Sequence, residues 1–240
     1  MQKTSQYLLE KKDMTNPSLV PEWLIEEYKT FHNLVTDRTF PCYFGMGAEN
    51  KGELRYAYLP HNDWSHFPEV VESFLGLFEE PPFIRHGLFV FVEPEKEEKS
   101  LDYYRQYFWR ILQYLHDHDP HPWPEDIPKD PDHFLWDFCF AGKPFFAFGN
   151  CPAYKQRKTR NLGNSLILGI QPRMIFEGLE GTQKGGIMSR ERVRERVQKW
   201  DKLPKHPDIS HYGDPSHNEW KQFFIGDDIE PIKGKCPLHL

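Results

Sequence analysis

Short apolar runs in this 240-residue chain come in adjacent pairs, and stretches with helical spacing separate the pairs. Residues 42–44 and 54–59 read as one pair, joined through Asn50-Lys51-Gly52 as a hairpin. Residues 136–141 and 144–149 read as a second, joined at Gly142, with 164–170 close behind. Residues 84–92 carry the strongest single strand signal. Strands adjacent in sequence pair antiparallel across short turns, whereas a doubly wound parallel sheet needs a helix after every strand. The expected fold is therefore α+β, a single domain with a mainly antiparallel sheet covered by helices. A further short strand is expected at 222–225.

The helices between the pairs are read from spacing. Leu24, Tyr28, Phe31 and Val35 follow Pro21 at intervals of three and four. Phe67, Val70, Phe74 and Phe78 follow Ser65, a capping residue, and Pro81-Pro82 stop that pattern. Tyr104, Phe108, Ile111 and Leu115 follow Ser100. Val193, Val197 and Trp200 follow Ser189 on a helix whose outer face alternates Arg and Glu. Residues 116–133, rich in His, Asp and Pro, read as a loop, and the tail from Lys202 as mostly irregular. No Gly/Ser-rich linker or repeat divides the chain, so residues 18–240 are expected as one domain behind a loose arm at 1–17.

Charge narrows the partners. A net charge of −6 gives no global attraction to nucleic acid or anionic membranes. No apolar run is long enough to span a bilayer, and residues 1–12 have no apolar signal core. These features fit a cytoplasmic protein, with Cys42, Cys139, Cys151 and Cys236 as thiols. No glycine-rich strand-to-helix turn favours a dinucleotide or nucleoside triphosphate. No Gly-x-Ser-x-Gly elbow and no Cys-x-x-Cys pair is present. The exposed helices permit a homodimer.

Three constellations can carry chemistry. In Phe40-Pro41-Cys42-Tyr43-Phe44-Gly45 a thiol lies between a proline and aromatic residues. It reads either as a thiolate ligand to haem iron or as a buried small residue in a strand. The segment Cys151-Pro152-Ala153-Tyr154-Lys155-Gln156-Arg157-Lys158-Thr159-Arg160 follows an apolar strand and sets four cations in six residues. Arg157 and Arg160, joined by Arg173, could clamp a carboxylate or phosphate, or the loop could be a solvated basic surface. His116, His118 and His121 are legitimate metal ligands, but their spacing matches no closed site. The interleaved charges at 190–196 suit helix support better than nucleic-acid binding.

Read in order, these features resemble the YqcI/YcgG family. The resemblance rests on Phe40-Pro41-Cys42, the strands about Gly142, Arg157 with Arg160, Gln171-Pro172-Arg173 leading to Phe176-Glu177, and the arginine-rich helix. His206-Pro207, Tyr212-Gly213 and Cys236-Pro237 complete the series, which spans nearly the whole chain. The family includes haem-dependent enzymes that hydroxylate a guanidino nitrogen of arginine-like small molecules. The resemblance thus implies haem b, with oxygen or peroxide as oxidant. Cys42 becomes the candidate axial ligand, with Cys236 or His86 as runner-up. Arg157 and Arg160, with Tyr154 and Arg173, become candidate cofactor contacts. Asp137, with Asp201 behind it, is the candidate carboxylate to orient the substrate. The hydroxylating members tend to carry a histidine where this chain has Arg173. The alternative is a non-catalytic protein that holds haem or an anionic small molecule.

Overall fold

Alternate residues of the central strands face different cores. In the computed structural model, which describes residues 5–78, 87–179, 181 and 183–240, five strands form one sheet. They are β1 (Arg55–Leu59), β2 (Leu88–Val92), β3 (Phe138–Phe140), β4 (Lys143–Asn150) and β5 (Ile167–Pro172). Their spatial order is β1-β2-β5-β4-β3. Three of the pairings are antiparallel and β1 with β2 is parallel. The fold is the expected α+β arrangement, with one parallel pair that follows from the helix α3 (Phe67–Gly76) lying between β1 and β2 in sequence.

Leu88, Val90 and Val92 belong to a core shared with α3 and α4 (Leu101–Asp117), whereas Phe91 belongs to a second core shared with α1 (Glu22–Val35). That two-residue alternation puts a helical layer on each face. The spacing predicted for α1 holds: Leu24, Tyr28, Phe31 and Val35 are all buried. Ser100 caps α4 as expected, its hydroxyl accepting from Tyr103 N–H at 3.1 Å. Ala141 and Gly142, with φ of 50° and 68°, form the two-residue turn between β3 and β4.

Several elements differ from the expectation. Residues 42–44 open a helix, α2 (Tyr43–Lys51), rather than a strand, so no hairpin joins them to β1. The Cys42 thiol caps that helix by accepting from Gly45 N–H at 3.3 Å, and Gly52 ends it at φ 70°. Residues 222–225 likewise contain no strand; a short helix, α6 (Trp220–Phe223), ends within them. The α3 helix begins at Phe67 after His66 rather than at Ser65, and α5 (Lys184–Trp200) begins before Ser189. Along α5, Val193, Val197 and Trp200 are half-buried. The segment read as a loose arm carries buried Leu9 and Met14, and Leu9 pairs with Tyr56 at the β1 edge. Pro81-Pro82, the start of the 84–92 run and His86 lie outside the described residues. Among the described residues no helix is long and apolar enough to cross a membrane.

Candidate functional site

The end of β5, the start of β3 and the irregular tail converge on one guanidinium. Arg173 follows β5 directly, and Asp137 precedes β3. The sheet brings them together although neither strand pairs with the other, because β4 lies between and pairs with both. Arg173 Nε donates to Asp137 Oδ2 at 2.6 Å, and Nη2 reaches the same oxygen at 2.5 Å. Nη2 also meets Glu219 Oε1 at 2.9 Å. The ring of Tyr212 lies 4.0 Å from the guanidinium carbon, a cation–π contact that closes another side. Tyr212 is itself fixed by donating its hydroxyl to Leu135 O at 2.7 Å. Gln222 holds the second oxygen of Glu219 at 2.9 Å.

Two carboxylates therefore share one cation in a place with little water. Asp137 is fully buried and Glu219 nearly so. Burial pushes the Asp137 carboxyl up to about 7; Arg173 pulls it back and Glu219 pushes it further. Burial works against the Arg173 charge, but Asp137 and Glu219 more than offset it and hold the guanidinium above its ordinary value. Next to this cluster, Trp136 Nε1 is buried with no hydrogen-bond partner among the described residues, inside a ring of aromatic side chains that includes Trp123 and Phe223.

An open cleft of about 370 Å³, a volume within the range of small-molecule sites, is lined by residues that adjoin the cluster in sequence. Asp130, Asp132, His133 and Phe134 line one side, and Pro215 to Asn218 the other. Asn218 immediately precedes Glu219. The exposed carboxylates of Asp130 and Asp132 have no ion-pair partner among the described residues, so the cleft is negative along that side. That field attracts a cation.

The other nominated residues are spread over separate places. Arg157 is buried, and each of its three nitrogens donates to a carbonyl: Nε to Gly226, Nη1 to Pro204 and Nη2 to Asp228. The backbone N–H groups of Lys155, Gln156 and Arg157 converge on the Asp227 carboxylate. The anion suited to this loop is thus supplied by the chain's own tail. Tyr154 is buried and donates its hydroxyl to Ile225 O at 2.7 Å. Asp201 accepts from the Thr159 N–H and hydroxyl at 2.8 and 2.9 Å. Arg160 differs: it is half-buried over the Phe148 ring, and the one hydrogen bond of its side chain among the described residues, to Gly149 O, is 3.5 Å long.

Cys42 lies at the α2 N-terminus. Burial pushes its thiol up, while the N–H groups of Gly45 and Phe44 and the Arg196 charge favour the thiolate. The thiol of Cys236 is half-buried and pushed up to about 12 by burial. His118 bonds Tyr114 O and His121 bonds Asp119, and no cluster of three metal-ligating side chains exists among the described residues. Sequence reasoning missed Glu219, because an isolated carboxylate in an irregular segment carries no periodic signal. Tyr212 was visible only as part of the family-like series.

Comparison with known proteins adds to this geometry. The sequence model described as the YqcI/YcgG family matches residues 31–239. The uncharacterized protein YqcI of Bacillus subtilis (strain 168) is 32% identical over 232 residues, covering 91% of this chain and 89% of that protein. The uncharacterized protein YcgG of the same organism is 31% identical over 227 residues, at 91% and 89% coverage. A Streptomyces lavendulae protein named "Putative N(omega)-hydroxy-L-arginine synthase DcsA" is 28% identical over 223 residues, at 90% and 84% coverage. No solved structure gives a significant match.

Proposed function

This chain belongs to the YqcI/YcgG family, and from that premise we propose that it is a haem-dependent oxygenase, acting in the cytoplasm, that hydroxylates a guanidino or amine nitrogen of a small arginine-like molecule. The observation that carries the reading is the pair of buried carboxylates, Asp137 and Glu219, gripping a guanidinium against an aromatic ring beside an acidic cleft. The name of the Streptomyces relative refers to the same chemical group.

Paired carboxylate oxygens recognise a planar guanidinium through parallel N–H donors. In this proposal the substrate enters between Asp130 and Asp132, and its guanidino group takes up the carboxylates as the Arg173 side chain turns away. Tyr212 then stacks on the substrate as it does on Arg173. A guanidino nitrogen is a poor nucleophile while protonated. Asp137 Oδ2, which holds the Arg173 Nε–H, is the acceptor placed to take that proton. Glu219, oriented by Gln222, keeps the second nitrogen in register.

Cys42 would hold the haem iron through its thiol, which is half-buried, sits at a helix N-terminus and already accepts a backbone N–H. Arg160, whose side chain makes one long hydrogen bond among the described residues, would pair with a propionate, whereas the donors of Arg157 and Tyr154 are engaged internally. When bound, haem would supply activation of dioxygen or peroxide, a thiolate ligand favouring O–O cleavage.

Protein purified from cells fed a haem precursor should show a Soret band, and Cys42→Ala should remove or shift it. Incubation with L-arginine and peroxide should give a product heavier by one oxygen atom. Absence of a Soret band together with no haem uptake on titration would sink the proposal. A second reading, non-catalytic binding of haem or a small anion, draws on Arg173 already filling the carboxylate pair. Haem uptake without product from any guanidino compound would favour it.

A further inference from the structure

A second, smaller cleft has the opposite sign. It lies between α4, α6 and the C-terminal tail and measures about 100 Å³. Four cations line it, Arg105, Lys221, Lys233 and Lys235, and no carboxylate does. Such a collection is unexpected in a chain of net charge −6. None of the three lysines is ion-paired among the described residues. Arg105 has one ionic contact, from Nη1 to the exposed Asp102 at 2.8 Å. Its Nε is buried with no hydrogen-bond partner. Three unpaired lysines beside an arginine around one small cavity favour an anionic occupant. The aromatic walls place the cations firmly: the Arg105 guanidinium lies 6.0 Å from the Phe224 ring and Lys221 Nζ 5.6 Å from that of Trp220.

We propose that this cleft binds a phosphate group, free or carried on a small ester. At about 100 Å³ the cavity is well below the usual size of a small-molecule site, which favours a compact anion. A phosphate group suits four converging cations because it brings close to two negative charges and three strong acceptor oxygens at neutral pH. An ester's organic part would rest on the exposed rims of the aromatic walls. The site also adjoins the acidic cleft: Trp220 lines the basic cleft and donates Nε1 to Asp132 Oδ1 at 3.4 Å, while Asp132 lines the other. Glu219 directly precedes Trp220. Phosphate held here therefore steadies α6, whose N-cap residue is Glu219.

Trp109 and Trp220 line the cleft and report on it through intrinsic fluorescence. The full chain should be titrated at low salt with inorganic phosphate and with phenyl phosphate, and the affinities checked by calorimetry. Saturable binding is expected. The double variant Lys233→Ala/Lys235→Ala, at two exposed tail positions that leave the fold intact, should weaken it roughly tenfold or more. Lys184→Ala/Lys199→Ala, which removes two exposed lysines of α5, should leave it unchanged. Tighter binding of phenyl phosphate identifies an ester as the occupant; equal affinities identify the phosphate group alone. The proposal is overturned if wild-type binding does not saturate, or if both double variants weaken it equally.

Discussion

Asp137→Asn isolates the electrostatic conflict at the centre of the carboxylate cluster. The substitution keeps the shape of the side chain and an acceptor for the Phe138 N–H, which Asp137 Oδ1 holds at 3.1 Å, but it removes the titration. In the folded protein burial outweighs Arg173, and the carboxyl is pushed up to about 7 from an ordinary value of 3.8. A carboxyl raised in the folded state binds its proton more tightly folded than unfolded. Its contribution to stability is therefore complete below about pH 4 and is lost as pH rises to about 7. At about 1.36 kcal/mol per pH unit, the gap amounts to as much as about 4 kcal/mol. Urea unfolding of wild type and variant from about pH 4 to about pH 8 measures it. Relative to wild type, the variant should gain stability steadily across that window and then level off. A difference that does not change with pH, or that falls as pH rises, would refute the reasoning. It would mean that the Arg173 charge, rather than burial, governs Asp137.

Four further changes test other parts of the structure. Arg157→Lys keeps the charge but loses the planar fork that reaches the carbonyls of Gly226, Pro204 and Asp228; unfolding by urea should show a loss of about 2–4 kcal/mol. Gly169→Ala would set a new carbon 2.2 Å from the Phe148 ring, and overpacking of this kind should lower stability by about 1–3 kcal/mol. Ser100→Ala removes the N-cap of α4, and thermal unfolding should register about 1 kcal/mol. Glu219→Gln leaves Arg173 paired with Asp137 alone. Removing the like charge should lower the Asp137 pKa, which carbon-detected NMR titration of the carboxyl can follow.

The outline of the fold was legible because it rests on spacing. The apolar faces of α1 and α4, the Ser100 cap and the tight turn at Gly142 are local properties, and each stands where local chemistry puts it. The misread elements are those where composition and tertiary setting disagree. Residues 42–44 are aromatic and follow a proline, which suits a strand; the Cys42 thiol capping α2 and Gly52 closing it make the helix instead. Residues 222–225 are rich in apolar groups, yet the end of helix α6 falls there, packed against β4. Polarity alone made residues 1–17 look unattached, although Leu9 and Met14 have partners in the second core.

The site divides the same way. Two members of the cluster, Asp137 and Arg173, are legible in the linear chain, because each adjoins a strand that spacing reveals. The tail's charges are legible too, but not their partners. Those are settled by packing. Asp227 fills the amide nest of the basic loop, and Pro204, Gly226 and Asp228 take the Arg157 donors. Glu219 joins Asp137, and the tail lysines gather around Arg105. The physical reason is that a charge in an irregular segment has no periodicity to betray its neighbours. Burial and Coulomb attraction between residues far apart in sequence select its partner only once the sheet has formed.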